Sequence, residues 1–201
     1  MPNWCTNWIE ISGSEESIQK IKQTMESIQD SKEPNLFMTL VGVPEGVDYE
    51  KEWYETNVNN WGTKWDVSLD ESNVEFTPDF ITMSPETAWS PPVGFCKSLA
   101  QKFGVDITIT YEEPGCDFCG RTNIDKEGNE DVEDYSFLEG KYIFDNESFW
   151  YEVESNLEYQ IDERYENPSL EDFIEGYEFV SEEDMTQIKE MYNEAVKKKN
   201  K

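Results

Sequence analysis

The heptapeptide Val105-Asp106-Ile107-Thr108-Ile109-Thr110-Tyr111 alternates apolar and polar residues without a break, the period of a strand with one buried face. It follows without a linker on a helical stretch in which Phe95, Leu99 and Phe103 recur at i, i+4 and i+8. Ser90-Pro91-Pro92 opens that helix and Gly104 closes it, since proline is tolerated in a first turn and glycine just past a last one. A helix feeding straight into a half-buried strand needs a sheet to lie on. Trp8-Ile9-Glu10-Ile11 supplies a second strand, stopped by Ser12-Gly13. Ser14 then reads as an N-cap with Glu15 and Glu16 in the first turn, and Ile18, Ile21, Met25 and Ile28 mark one helix face. Trp65 to Leu69 alternates as a strand, Asp70 to Asn73 reads as a turn, and Val74 to Thr77 returns as its partner, with Phe80 to Met83 continuing after Pro78.

The order is β-α-β-β-α-β, which predicts an α+β fold of the ferredoxin-like, split βαβ kind: an antiparallel sheet with two helices on one face. Residues 31–63 carry Pro34, Pro44, Gly42, Gly46 and Gly62 without a clear period and read as a long excursion. Beyond Gly115 the pattern loosens. Arg121 to Ile124 and Val132 to Phe137 fit a hairpin around Asp125-Lys126-Glu127-Gly128, and Tyr142 to Phe144 and Phe149 to Tyr151 read either as short strands or as segments packed across the sheet. Ser169 caps a short helix over 170–176, and Ser181-Glu182-Glu183-Asp184 opens a C-terminal helix over about 182–198. Its face is Met185, Ile188, Met191, Tyr192 and Ala195. The expected organisation is a ferredoxin-like domain over 1–125 and an acidic extension over 126–201 packed on it.

Charge excludes several functions. The chain holds 45 acids, 16 bases and no histidine, a net −29. Without histidine there is no Ser-His-Asp or Cys-His machinery, no His-ligated zinc and no HExxH protease. So strong an excess of acid argues against direct binding of nucleic acid, whose backbone is neutralised by Lys and Arg. No apolar run approaches the roughly 20 residues that span a bilayer. The start, Met1-Pro2-Asn3-Trp4-Cys5, has neither basic nor apolar signal regions, and a cytoplasmic location is expected. Low hydrophobicity with high charge would suit disorder, but 7 Trp, 10 Tyr and 11 Phe supply the bulk of a core or an interface. Acid is concentrated in residues 111–184, with 25 acids against 4 bases, and the chain closes on Lys197, Lys198, Lys199 and Lys201.

Four ordered motifs carry a family resemblance. They are Met1-Pro2-Asn3-Trp4-Cys5-Thr6-Asn7, Asn60-Trp61-Gly62-Thr63-Lys64-Trp65-Asp66, Thr87-Ala88-Trp89-Ser90-Pro91-Pro92, and Tyr111 to Gly120 with its Pro114-Gly115-Cys116-Asp117-Phe118-Cys119 core. Over residues 1 to about 125 the chain resembles the YubB-like family of phage, prophage and plasmid proteins, which implies a ferredoxin-like domain and a mobile-element setting but carries over no catalytic residue.

Two surfaces are candidates for function. In the acidic third, Glu158, Asp162 and Glu166 would align at i, i+4 and i+8 on a helix, beside Glu152, Glu154, Trp150 and Tyr159. Closely spaced carboxylates resemble the phosphates of a nucleic-acid strand, and aromatics among them give anchors. The main expectation is a non-enzymatic accessory protein that binds and inhibits a host protein with a basic surface through this face. That target would be a defence or nucleic-acid-handling protein, met by nucleic-acid mimicry, with no cofactor and no membrane partner. A solvated acidic surface is the plainer reading. The alternative is a small-molecule or nucleotide cleft built by Asn60, Trp61, Lys64, Trp65, Asp66, Trp89 and Asp117, in which indoles stack on a planar group; against it, the same tryptophans are ordinary core residues. Asp66 with Asp117 is also a conceivable acid–base or cation pair. Cys116 and Cys119 form a CxxC, but no second CxxC completes a zinc site and the pair follows a Pro-Gly turn instead of opening a helix. Reduced structural thiols are expected. Asp125 to Asp131 places Gly128 fourth, where a calcium-binding EF-hand loop wants glycine sixth, so a hairpin turn is expected there.

Overall fold

The computed structural model describes residues 3–28, 35–161 and 168–199. The chain divides into two units, Met1–Asp134 and Tyr135–Lys201; the expected boundary after residue 125 falls inside a hairpin of the first.

The first unit is built around β1 (Trp4–Ser12), α1 (Glu15–Glu26), α2 (Leu36–Leu40), α3 (Tyr49–Trp61), β2 (Glu75–Phe76), β3 (Phe80–Met83), β4 (Glu86–Ala88), α4 (Val93–Phe103), β5 (Asp106–Glu113), β6 (Phe118–Ile124) and β7 (Glu130–Tyr135). The sheet order is β2-β3-β1-β5-β6-β7, with β4 also on β1. β1 is antiparallel to both β3 and β5, pairing Ile9 with Met83 and Ile109, and Ile11 with Ile81 and Ile107. This is the ferredoxin-like fold, a mixed α+β domain whose third strand is split into β3 and β4. Pro85 lies at the split. It has no N–H for the ladder, and its carbonyl accepts from Asn7 Nδ2 at 2.9 Å.

One sheet face is apolar. Cys5, Ile9, Ile11, Ile81, Met83, Ile107 and Ile109 are buried with Ile18, Ile21 and Met25 of α1 and Phe95, Leu99 and Ala100 of α4. α1 starts as read, with Ser14 Oγ accepting from Ser17 N at 3.2 Å, and α4 ends on Gly104 in the left-handed region, φ 65°. The opposite face carries Trp8, Glu10, Thr108, Thr110, Arg121 and Asn123 around one open depression.

Three expectations need correction. Trp65 to Leu69 is not a strand and makes one isolated bridge, Ser68 with Asn35; the hairpin lies one step downstream, β2 against β3. The segment is used to anchor a helix instead, because both Asp66 oxygens accept from the first N–H groups of α2. Within 31–63, the described part is largely helical, since Leu36, Phe37, Leu40 and Trp61 drive α2 and α3 into the core. Tyr142 to Phe144 and Phe149 to Tyr151 are helical rather than extended.

Those residues belong to the second unit, made of α5 (Phe137–Phe144), α6 (Asn146–Gln160), α7 (Leu170–Ile174) and α8 (Glu182–Lys199). Phe149, Val153 and Leu157 form one face of α6 and share a core with Ile161, Phe173, Tyr177, Ile188 and Tyr192. β-propensity favours an aromatic triplet as a strand, but the four-residue spacing to Val153 and Leu157 decides for helix. Ser169 and Asp172 form a reciprocal capping box on α7. Ser181 Oγ accepts from Asp184 N at 3.1 Å at the start of α8, and the Ser181 and Tyr142 hydroxyls hold the Asp184 carboxyl below the usual carboxylate range. No described helix is long and apolar enough to cross a membrane.

Candidate functional site

The four motifs meet at one end of the first unit's sheet. Asn7 is fully buried and its Nδ2 donates to Cys5 O, Pro85 O and Thr87 Oγ1, each at 2.9 Å. Trp89 N donates to Asn3 O at 3.0 Å. Ser90 Oγ donates to Gly62 O at 2.6 Å and Thr63 Oγ1 to Ala88 O at 3.0 Å. Gly62 (φ 86°) has no room for a Cβ, which would lie 2.9 Å from Pro91 O. The motifs therefore knit α3, β4 and the start of α4 together through backbone carbonyls.

This knitting positions an aromatic group. Lys64 Nζ lies 4.6 Å from the Trp65 ring centroid, 4.7 Å from that of Trp89 and 5.9 Å from that of Tyr54. All three rings are partly open to solvent, with Trp89 43% exposed. Trp89 has φ 71°, a left-handed conformation that a tryptophan keeps only when its surroundings over-determine it. Trp61, expected beside these rings, is instead fully buried, stacks edge-on against Phe37 and donates its Nε1 to Gly42 O at 3.1 Å. Asn60 is half-buried and turns back along α3, its Nδ2 donating to Thr56 O at 2.9 Å.

Asp66 is occupied structurally. Its carboxylate accepts from Phe37 N at 2.7 Å, Met38 N at 2.8 Å and Val67 N at 2.8 Å. Burial pushes it above the usual carboxylate range, against the pull of those backbone donors. A carboxylate so engaged is a helix anchor rather than one half of an acid–base pair with Asp117. Asp117 sits at φ 55° after the turn of Pro114–Cys116. Trp65 and Asp66 do line a cleft of about 610 Å³ together with Trp4, Glu71, Ser72 and Glu86, and the Trp4 and Trp65 rings lie 6.1 Å apart.

The cysteines are free. Burial pushes the Cys5 thiol up to about 12 and raises that of Cys96 as well. Cys116 is exposed, and its hydrogen bond with the Glu113 carboxyl raises its pKa too. These three thiols stay protonated at neutral pH and are poor nucleophiles. Among the described residues no group of three or more Cys, Asp or Glu is gathered as a metal site. Glu113 itself is 3% exposed; Oε1 accepts from Gly115 N at 2.9 Å, while Oε2 has no partner among the described residues. The strand period of β5 places Glu113 on the same buried face as Ile107, Ile109 and Tyr111, a signal that continuing the alternation past Tyr111 would have revealed.

In the second unit, the expected acidic surface resolves residue by residue. Glu154, Glu158 and Tyr159 are exposed on α6, Glu152 and Trp150 are half-buried, and Asp162 and Glu166 lie outside the described residues. Trp150 packs against the core beside Phe149. Sequence reasoning missed Glu147, which shares the outward face with Tyr151. Tyr151 is 69% and Tyr159 78% exposed, an i, i+8 stripe hidden by reading the triplet as a strand. α6 contains four glutamates and no base. Beside it, Leu157, Ile161, Met191 and Ala195 floor a groove of about 530 Å³ between α6 and α8, rimmed by Glu154, Glu158, Glu194 and Lys198.

Comparison with known proteins places this fold. Residues 64–173, more than half of the chain, match the family described as the ferredoxin-like domain in Api92-like protein. The chain belongs to that family. A crystal structure of a protein api92 from Yersinia pseudotuberculosis is similar at 11% identity and a TM-score of 0.45, covering 68% of this chain and 99% of that one. No curated protein matches the chain. The Api92-like match begins within the Lys64-Trp65-Asp66 motif and runs through β7 and α6 into α7, so it takes in parts of both units.

Proposed function

We propose that this Api92-like protein is a non-enzymatic accessory protein that binds and inhibits a basic protein through the outward face of α6. The observation that carries this reading is composition by face: Glu147, Tyr151, Glu154, Glu158 and Tyr159 point outward from a helix without a single base. Glu154 and Glu158, at i and i+4, repel one another at a cost of roughly 0.2–0.5 kcal/mol. Exposed tyrosines among them offer the amphipathic anchors on which interfaces depend. A surface that bears this cost and keeps its aromatics in solvent suits a cationic partner, with long-range attraction speeding capture. The YubB-like resemblance of the four motifs supports a phage or plasmid setting, and in that setting the acidic face suits a host defence or nucleic-acid-handling protein of the cytoplasm as target. The nucleotide-cleft alternative is weaker, because Trp61 and Asp66 are committed to the core and to α2.

The test is capture of bacterial proteins on the full chain at low and high salt, using wild type and the Glu154→Lys/Glu158→Lys double variant. A basic protein held by the wild type, released by salt and bound about tenfold more weakly by the double variant is the expected result. Capture that is insensitive to both salt and charge reversal would sink the proposal.

A further inference from the structure

We propose that Tyr54, Trp65 and Trp89 form a receptor site for an alkylammonium group, and that Lys64 is its resident occupant. Aromatic faces carry negative electrostatic potential, and a cation within about 6 Å of the ring centroid is attracted to them. Lys64 Nζ meets that distance from all three rings, and among the described residues it has no ion-pair partner. The rings are thus its binding site, already shaped for a charge of this size.

Two independent features mark the site as more than chance packing. The first is how it is held. Trp89 is kept in a left-handed backbone by its N–H bond to Asn3 and by the Thr87 Oγ1 bond to Ser90 O at 2.8 Å. Lys64 is fixed through its own carbonyl, which accepts from Asn57 Nδ2 at 2.9 Å. Strain of this kind is retained where the surroundings impose it, and it clusters at ligand clamps. The second is what lies next to it. Trp65 also lines the neighbouring cleft of about 610 Å³, whose other walls include Glu71, Asp66 and Glu86 and no base. With Asp66 bonded to the start of α2, Glu71 and Glu86 are the cleft carboxylates left to attract a cation to the side of Trp65.

An incoming quaternary or methylated ammonium has an advantage over Lys64. It is more weakly hydrated than a primary ammonium, so it loses less water on leaving solvent for the rings. Lys64, released, keeps its charge in water. The same chemistry has two sources, a free small cation or a methylated lysine side chain of a protein.

The experiment is a tryptophan-fluorescence titration of the full chain with tetramethylammonium chloride, ionic strength held constant with sodium chloride. The wild type shows saturable quenching, and Lys64→Ala binds about fivefold tighter, the factor to which one cation–π contact at an exposed site amounts. Choline binds and its neutral isostere 3,3-dimethylbutanol does not. Lys64→Ala binding no tighter than wild type, or the neutral isostere matching choline, overturns the proposal. Because the decisive variant gains affinity, a failure to fold cannot mimic the expected result. A trimethyllysine peptide that binds more tightly than tetramethylammonium supports the site with a protein source; one that binds equally supports it with a small cation.

Discussion

A Cβ added at Gly94 would lie 2.5 Å from Asn60 O and 3.0 Å from Asn60 C, both backbone atoms at the end of α3. Neither can give way as a flexible side chain does, so α4 would have to move off α3. Gly94→Ala is expected to lower stability by about 1–3 kcal/mol, the usual cost of overpacking, read as a fall in the urea midpoint. Gly176 is the contrast: it has no neighbour within 4 Å of an added Cβ and no positive φ. Gly176→Ala is expected to be neutral or to stabilise by about 0.4–1 kcal/mol, through the unfolded chain. Equal effects at the two positions would refute the packing argument. At this scale the sequence is partly legible. Gly104 as a helix stop and Ser14 as an N-cap are local chemistry, and both stand as read. Nothing local distinguishes Gly94 from Gly176, because the Asn60 backbone that crowds Gly94 arrives from another helix.

Among the elements, α2 shows how a distant side chain makes a short helix. Its cap is Asp66, 29 residues from Phe37 and 28 from Met38. Asp66→Ala is expected to cost about 2–3 kcal/mol, since it orphans helix-start N–H groups, whereas Asp66→Asn retains one acceptor and costs less. The pH dependence has a definite sign. Burial raises the folded pKa of Asp66 above its ordinary value of 3.8, so the native state binds the extra proton. The contribution of this group is fully present below 3.8 and is lost as pH rises through the folded pKa. In urea unfolding compared across that window, wild type should lose stability relative to Asp66→Asn as pH rises. A constant difference between the two would contradict the assignment. Alternation at Trp65 to Leu69 suggested a strand because the period of two records which side chains are apolar, but not what the backbone pairs with. The helical period of α6 was present in Phe149, Val153 and Leu157, and aromatic β-propensity masked it.

For the whole molecule, 45 acids against 16 bases make folding work against self-repulsion. Salt screens that repulsion, with a Debye length of about 10 Å at 0.1 M. The melting temperature should therefore rise with sodium chloride by about 2–4 °C, equivalent to roughly 1 kcal/mol in a chain of this size. A melting temperature that falls with salt would mean that the four described ion pairs, all at the surface, matter more than the net charge. The two readings of function respond to salt differently as well. Capture through α6 weakens with ionic strength, while a cation held by aromatic faces depends mainly on contacts too close to be screened.

By itself the sequence determined the ferredoxin-like strand and helix order, the terminal helix and the hairpin turn at Asp125 to Gly128, where Asp125 accepts from Glu127 N and Asn129 N. Each is written in periodicity or turn chemistry over a few consecutive residues. It also named Lys64, Trp65 and Trp89, through two of the four motifs. Only the tertiary structure decided that Trp61 leaves that group for the core, that Tyr54 joins it from α3, and that Asp66 caps α2. These outcomes depend on which distant backbone comes within about 3 Å or which ring faces an ammonium, and such distances are set by the packing of helices on the sheet, for which neighbouring residues carry no code.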